Sequence, residues 1–308
     1  MLTKGLLARR PQLLPSLCVA ISGVFWGLFW ILLRAFEDHG FKGAWPGLIV
    51  YCIVFISLLP FLPGRWKRIR AKAATIFVTG FFMGTAFALY AASLIMTEVV
   101  RTLLLFYLTP VWSTLLGIFL LGERVTFGRV AALVLGFMGL LVVLGLGDGF
   151  PWPQNLGDTL GLAAGMFWSY GTVKLFQDKT IATYEMVLVF AFGGAVVLAT
   201  FILFGGTVFG STPSLSEFRD ALPLMVLAGI YTLPMFYLTI WPARLISPAR
   251  VGILLMGEVV VGVGSAAMLS GEPFGAREAL GTLLILSAAA VEIGVYAPLT
   301  WKPGPGES

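Results

Sequence analysis

One carboxylate stands out in this chain: Glu258, inside the apolar run 247–269. A charge at the centre of a membrane helix costs about 2.5–3.5 kcal/mol on insertion scales, so Glu258 is expected to face protein or a water-filled cavity. Desolvation favours the neutral acid, which makes it a candidate proton carrier or polar anchor. The plainer reading is a hydrogen-bonded structural glutamate lying beside Glu292. An aromatic cavity around such a group would stack on an aromatic or apolar side chain. The candidate lining residues are Trp26 and Trp30, four apart on one helical face, with Tyr90, Tyr107, Trp168, Tyr231 and Tyr237. For any one of them, ordinary packing, lipid contact or an interface belt is the plainer reading.

Four further residues carry possible chemistry. Arg101 and Arg250 would act as gates that guide a carboxylate, or as interfacial anchors whose side chains snorkel. Glu98 lies one turn from Arg101 and is a candidate partner. Pro110 and Pro234 each lack an N–H, which frees the carbonyls of Phe106 and Ile230. Such carbonyls suit a substrate ammonium or a hinge, and equally a static kink satisfied by a neighbour. Other chemistries lack their residues. The chain has no GxxxxGK[ST] phosphate loop, no HExxH and no nucleophile elbow. His39 is the sole histidine, and Cys18 and Cys52 sit in apolar runs. The expectation is therefore no enzyme, no cofactor and no metal site.

The elements that must position these residues follow from composition. Hydrophobic residues make up 58% of the chain and charged residues 11%, with a mean hydropathy of +0.95. Soluble domains are about 25% charged, so this composition specifies an all-α integral membrane protein. Apolar runs broken by Gly, Pro and charge predict ten transmembrane helices near 13–35, 43–62, 72–94, 98–121, 128–146, 157–177, 183–204, 220–241, 247–269 and 276–299. The tail 300–308 is expected to be flexible. With the N-terminus inside, 15 Lys and Arg fall on the cytoplasmic side and 5 on the outer side, so both termini are expected in the cytoplasm. The run "RWKRIRAK" contributes five of these and reads as a topology anchor. The net charge of +5 thus belongs to span ends and does not indicate a nucleic-acid partner. Membrane lipid is expected as a partner, and the oligomeric state is left open.

The chain also repeats itself. A shift of 149 residues brings nine identities into register across 79–123, among them Gly80 with Gly229, Phe87 with Phe236, Arg101 with Arg250 and Glu123 with Glu272. A shift of 142 aligns "GVFWGLFWILL" with "GMFWSYGTVKL". Spans 1, 3 and 4 therefore echo spans 6, 8 and 9. The predicted units are 13–146 and 157–299, each of five helices. An odd number of spans inverts the second copy in the membrane, which is the arrangement of secondary transporters with a midplane site.

Ten spans, the five-helix repeat and "P-x-x-x-x-L-x-x-x-x-L-x-GE" (Pro110–Glu123) together resemble the EamA-type branch of the drug/metabolite transporter superfamily. Length and aromatic content are most similar to the YddG-type exporters of aromatic and other neutral amino acids. The second copy, "GEVVVGVGSAAMLSGE", keeps the closing Gly-Glu. It has Val259 where the first has Pro110, whereas family members often show Glu-Pro there, so only Glu258 matches that motif. The resemblance implies a secondary exporter of small metabolites, aromatic and other neutral amino acids foremost, in the inner membrane, working by alternating access between the inverted halves. On the same fold, a drug, a vitamin or a nucleotide sugar is the alternative cargo.

Overall fold

The computed structural model describes residues 13–121, 127–144, 153–178, 180–246, 251, 254–255, 257–269, 271 and 274–296. Regular structure among these residues is helical, with no strand. The helices are α1 (Leu13–Asp38), α2 (Trp45–Leu58), α3 (Trp66–Ala71), α4 (Ala73–Met96), α5 (Val99–Phe106), α6 (Thr109–Leu121), α7 (Phe127–Leu144), α8 (Leu156–Gln177), α9 (Thr183–Phe204), α10 (Leu215–Asp220), α11 (Leu222–Ala243), α12 (Gly257–Leu269) and α13 (Ala276–Tyr296). Among the described residues, five segments are long and apolar enough to cross a membrane: Leu14–Asp38, Ala73–Met96, Val99–Leu120, Thr183–Phe204 and Leu222–Ala243. A sixth is added if Trp45–Phe61 and Pro63–Ala71, bent by 70°, form one span.

Three details differ from the sequence expectation. The fourth predicted span is two helices, α5 and α6, separated at Tyr107 and Leu108. The break falls just before Pro110, which has no N–H to offer the Phe106 carbonyl, and the next helix begins at Thr109. Second, "RWKRIRAK" is not simply loop, because α3 forms within it. Third, "SLSEFRD" folds as α10, whose N-terminus is closed by a capping box between Ser214 and Glu217.

Packing divides the chain into two groups and a pair. The helix α1 lies on α11 and α12, with α2 also on α11. In the other group, α4 lies on α8 and α9, and α8 also packs on α5 and α6. The groups meet along α2 with α9 and along α5 with α12, while α7 and α13 pair with one another. Close crossings depend on glycine. A β-carbon at Gly84 would sit 2.3 Å from the Phe190 carbonyl oxygen, and one at Gly27 would sit 2.8 Å from that of Glu258. Small residues at such contacts let backbones approach where lipid supplies no hydrophobic drive for association.

Candidate functional site

The groups meet at Glu258, in the first turn of α12 and 1% exposed. Tyr90, from α4, donates a hydrogen bond to Glu258 Oε1. The Tyr107 hydroxyl, at the break between α5 and α6, lies 2.6 Å from Glu258 Oε2 and 2.6 Å from the Leu255 carbonyl oxygen. A tyrosine has one proton to give, and carboxylate and carbonyl oxygens only accept. If Glu258 is ionised, these two contacts share that single proton. If it is protonated, Glu258 donates to Tyr107, Tyr107 donates to Leu255, and every bond has its own proton. The arrangement is therefore most fully satisfied by the neutral acid, while the two tyrosines also supply donors to the anion.

An aromatic stack stands beside this centre. Trp26 lies between Phe87 and Phe236, with ring centroids 4.1 and 5.7 Å away and planes within 16° and 15° of parallel. Its indole N–H donates to Thr239 Oγ1 at 2.8 Å, and its edge meets Tyr90. Trp168 packs edge-on to Phe87 at 4.8 Å. Phe190 touches both Phe87 and Phe236, and Tyr51 stacks on Phe236. Each such pair contributes about 0.5–1.5 kcal/mol beyond area burial. In this conformation the rings fill the centre, and Trp26 and Tyr90 are no more than 1% exposed.

Among the residues singled out from sequence, the fold thus brings Trp26, Tyr90, Tyr107 and Glu258 into one contact cluster, with Trp168 joined through Phe87. Tyr231 stands at its edge, donating to the Phe25 carbonyl. Trp30 lies a turn away and donates to Ser265 Oγ at 3.0 Å. Tyr237, half-buried on α11, takes no part in these ring and hydrogen-bond contacts. The Glu258 partners come from α4 and the α5–α6 break; the Glu292 side chain lies outside the described residues, as does Arg250.

Three expectations are corrected by geometry. Arg101 does not pair with Glu98. Its guanidinium makes a two-pronged contact with Asp158, through Nε to Oδ1 at 3.1 Å and Nη2 to Oδ2. Thr97 Oγ1 and the Gln154 N–H complete the carboxylate at 2.8 and 2.9 Å. Arg101 is 8% and Asp158 0% exposed, so this arginine is committed inside the group of α4, α5 and α8 and offers nothing to a substrate carboxylate here. The carbonyl of Phe106 is likewise occupied, because the Thr109 hydroxyl donates to it at 2.6 Å. Pro234 sits on the exposed side of an unbroken α11, and Ile230 one turn earlier is 68% exposed, so neither lines the aromatic centre.

Sequence reasoning matched Phe87 with Phe236 in the repeat but did not single them out as site residues, because phenylalanine is abundant here. It also passed over Asp158 and Glu185, which look like ordinary span-end acids until the fold buries them. The repeat register carried more. A β-carbon at Gly23 would lie 3.3 Å from both the Leu255 carbonyl oxygen and Glu258 N; one at Gly165 would lie 2.7 Å from the Phe106 carbonyl oxygen and 3.3 Å from Thr109 Oγ1. Gly23 and Gly165 correspond under the 142-residue shift, and Phe106 and Thr109 correspond to Leu255 and Glu258 under the 149-residue shift. Glu258 occupies the place that Thr109 holds in the first half.

Several long apolar helices packed around a buried acid are in keeping with a multi-pass membrane protein, and known proteins make the likeness narrower. The EamA-like transporter family matches residues 13–145. An uncharacterized transporter of Archaeoglobus fulgidus is 28% identical over 166 residues, which take in 51% of this chain and 57% of that protein, little more than half its length. The uncharacterized transporter YojE of Bacillus subtilis is 21% identical over 293 residues, covering 92% of this chain and 94% of that one. A solved structure described only as "Crystal structure of protein" superposes with a TM-score of 0.59 at 20% identity, over 91% of this chain and 98% of the other. That likeness concerns the fold alone.

Proposed function

We propose that this chain is an EamA-type secondary transporter of the inner membrane. In this reading it exports small amphiphilic metabolites, aromatic and other neutral amino acids foremost, and its termini are cytoplasmic. The two halves, 13–146 and 157–299, act as inverted repeats that exchange access to a shared centre. The transporter likeness of the first half, the corresponding contacts of Gly23 and Gly165 and the paired helix groups support this reading. The distribution of Lys and Arg supports the orientation.

The observation that carries the proposal is the cluster at the seam: Glu258 held by Tyr90 and Tyr107, beside Trp26 between Phe87 and Phe236. A carboxyl that loses a tyrosine proton as the seam opens is suited to accept a substrate ammonium. An aromatic ring is suited to replace one member of the stack. Both substitutions conserve hydrogen bonds and apolar contacts, so substrate binding need not leave a buried group unpaired. Export follows if the loaded centre then opens outward and Glu258 returns protonated. No ATP-binding element is invoked.

The test is flux through purified protein in liposomes, with a panel of radiolabelled amino acids, amines, vitamins and nucleotide sugars, with and without a pH gradient. The expected result is exchange of aromatic and neutral amino acids above protein-free liposomes. Transport of a nucleotide sugar or vitamin with no amino acid flux would reject the substrate class.

A further inference from the structure

A second acid is buried at the seam, away from Glu258. Glu185 lies in the first turn of α9 and is 2% exposed. Its Oε1 is 3.5 Å from Arg65 Nη1, the outer limit of a hydrogen bond. Its Oε2 is buried and has no hydrogen-bond partner among the described residues. A buried carboxylate with one long contact and one empty oxygen is an expensive arrangement unless something cationic can reach it. The positive end of the α9 dipole favours negative charge at that position.

The surroundings say what the cation should look like. Arg65 reaches in from the short turn 63–65 between α2 and α3 and is 40% exposed along its side chain, so it can be displaced. Its guanidinium also lies over the Tyr184 ring, 5.1 Å from the centroid. The Tyr184 hydroxyl is already used, donating to the Leu58 carbonyl at 2.7 Å, so its ring face is what remains for a ligand. Arg65 belongs to the short helical turn 63–65 before α3 and Glu185 to α9, so the pair joins two separate segments of the chain.

We infer that Glu185 and the face of Tyr184 form a second, peripheral subsite for a primary ammonium group carrying an apolar side chain, and that Arg65 occupies it as a tethered stand-in. An arriving ammonium supplies three donors, enough for both Glu185 oxygens, and takes over the cation–π contact as Arg65 swings out to solvent. Because Arg65 and Glu185 lie on different segments, the exchange also removes a tie between them. By the charge distribution this side is cytoplasmic, so the subsite is where an exported ammonium compound is first held. The inference rests on the transporter reading for its role but not for its binding chemistry.

Calorimetric titration of the purified, detergent-solubilised full chain tests it, with phenethylamine (ammonium, no carboxylate) and 3-phenylpropionate (carboxylate, no ammonium) as probes. Glu258→Gln serves as the background, so that the central acid does not contribute. Phenethylamine should bind and 3-phenylpropionate should not. Adding Glu185→Gln should weaken phenethylamine binding at least tenfold, whereas adding Arg65→Gln should tighten it several-fold by removing the competitor. Those opposite directions separate a ligand site from a structural ion pair, for which both changes destabilise the protein and neither improves binding. Absence of phenethylamine binding, or indifference of binding to Glu185→Gln in a monodisperse variant, overturns the inference. Phenylalanine flux in liposomes reports separately on the transport proposal: a chain that binds phenethylamine through Glu185 but moves no amino acid keeps the subsite and loses that substrate class.

Discussion

Replacing Glu258 by glutamine should separate structure from coupling. The cluster requires an acceptor for Tyr90 and a donor for Tyr107, since Tyr107 can give its own proton to the Leu255 carbonyl at 2.6 Å. A glutamine amide supplies both, with its oxygen toward Tyr90 and its NH2 toward Tyr107. It therefore copies the neutral acid and should change stability by less than about 1 kcal/mol. Glu258→Ala instead strands the buried Tyr90 hydroxyl, while Tyr107 keeps the Leu255 carbonyl, and should destabilise by about 1–3 kcal/mol. Thermal unfolding in detergent distinguishes the two variants. In liposomes, Glu258→Gln should retain substrate exchange but lose accumulation driven by a pH gradient at least tenfold, because the amide carries no proton across. Equal destabilisation by Gln and Ala would refute the hydrogen-bond argument. Full pH-driven accumulation by Glu258→Gln would refute the coupling role.

Other perturbations test the frame around this centre. Asp158→Asn leaves the buried Arg101 charge without its anion and should cost about 3–5 kcal/mol in thermal unfolding; a neutral outcome would show that Arg101 finds solvent instead. Gly84→Val places side-chain atoms where a β-carbon alone would meet the Phe190 carbonyl oxygen at 2.3 Å, so the variant should fail to elute as a monodisperse peak. Gly64→Ala, with nothing within 4 Å of its β-carbon, should behave as wild type. At Asp178, hydrogen bonds from the Thr180 hydroxyl and N–H hold the carboxyl below its ordinary value of 3.8, with Lys72 assisting. A depressed folded value stabilises above the unfolded one, so Asp178→Asn should cost less than about 1 kcal/mol at neutral pH. That difference should disappear as pH falls below about 4 in parallel unfolding curves.

The sequence by itself determined the solvent, the helical class and most of the boundaries. Residues that are 58% hydrophobic cannot be covered by polar surface, and lipid obliges each backbone N–H and C=O to be satisfied within a helix. It also marked Glu258, because a lone acid in an apolar run has to meet protein or water, and it marked the correspondence of Phe87 with Phe236 through the repeat. Helix α1 stayed whole because it lacks an internal breaker after Pro15, whereas span 4 divides at a proline whose effect was foreseen locally but not as a full break. What remained hidden was partnership. Arg101 and Glu98 are neighbours along one helix, yet Asp158 wins, because the fold buries it against Arg101 57 residues away, where a two-pronged pair is the way to keep both charges out of water. Tyr90 and Tyr107 acquire meaning only when α4 and the α5–α6 break converge on α12, 168 and 151 residues distant from Glu258. Glu185 reads as an ordinary helix-start acid until packing removes its water. Periodicity and composition act along the chain. Desolvation and hydrogen-bond satisfaction depend on what lies across it, and that was decided by the tertiary structure.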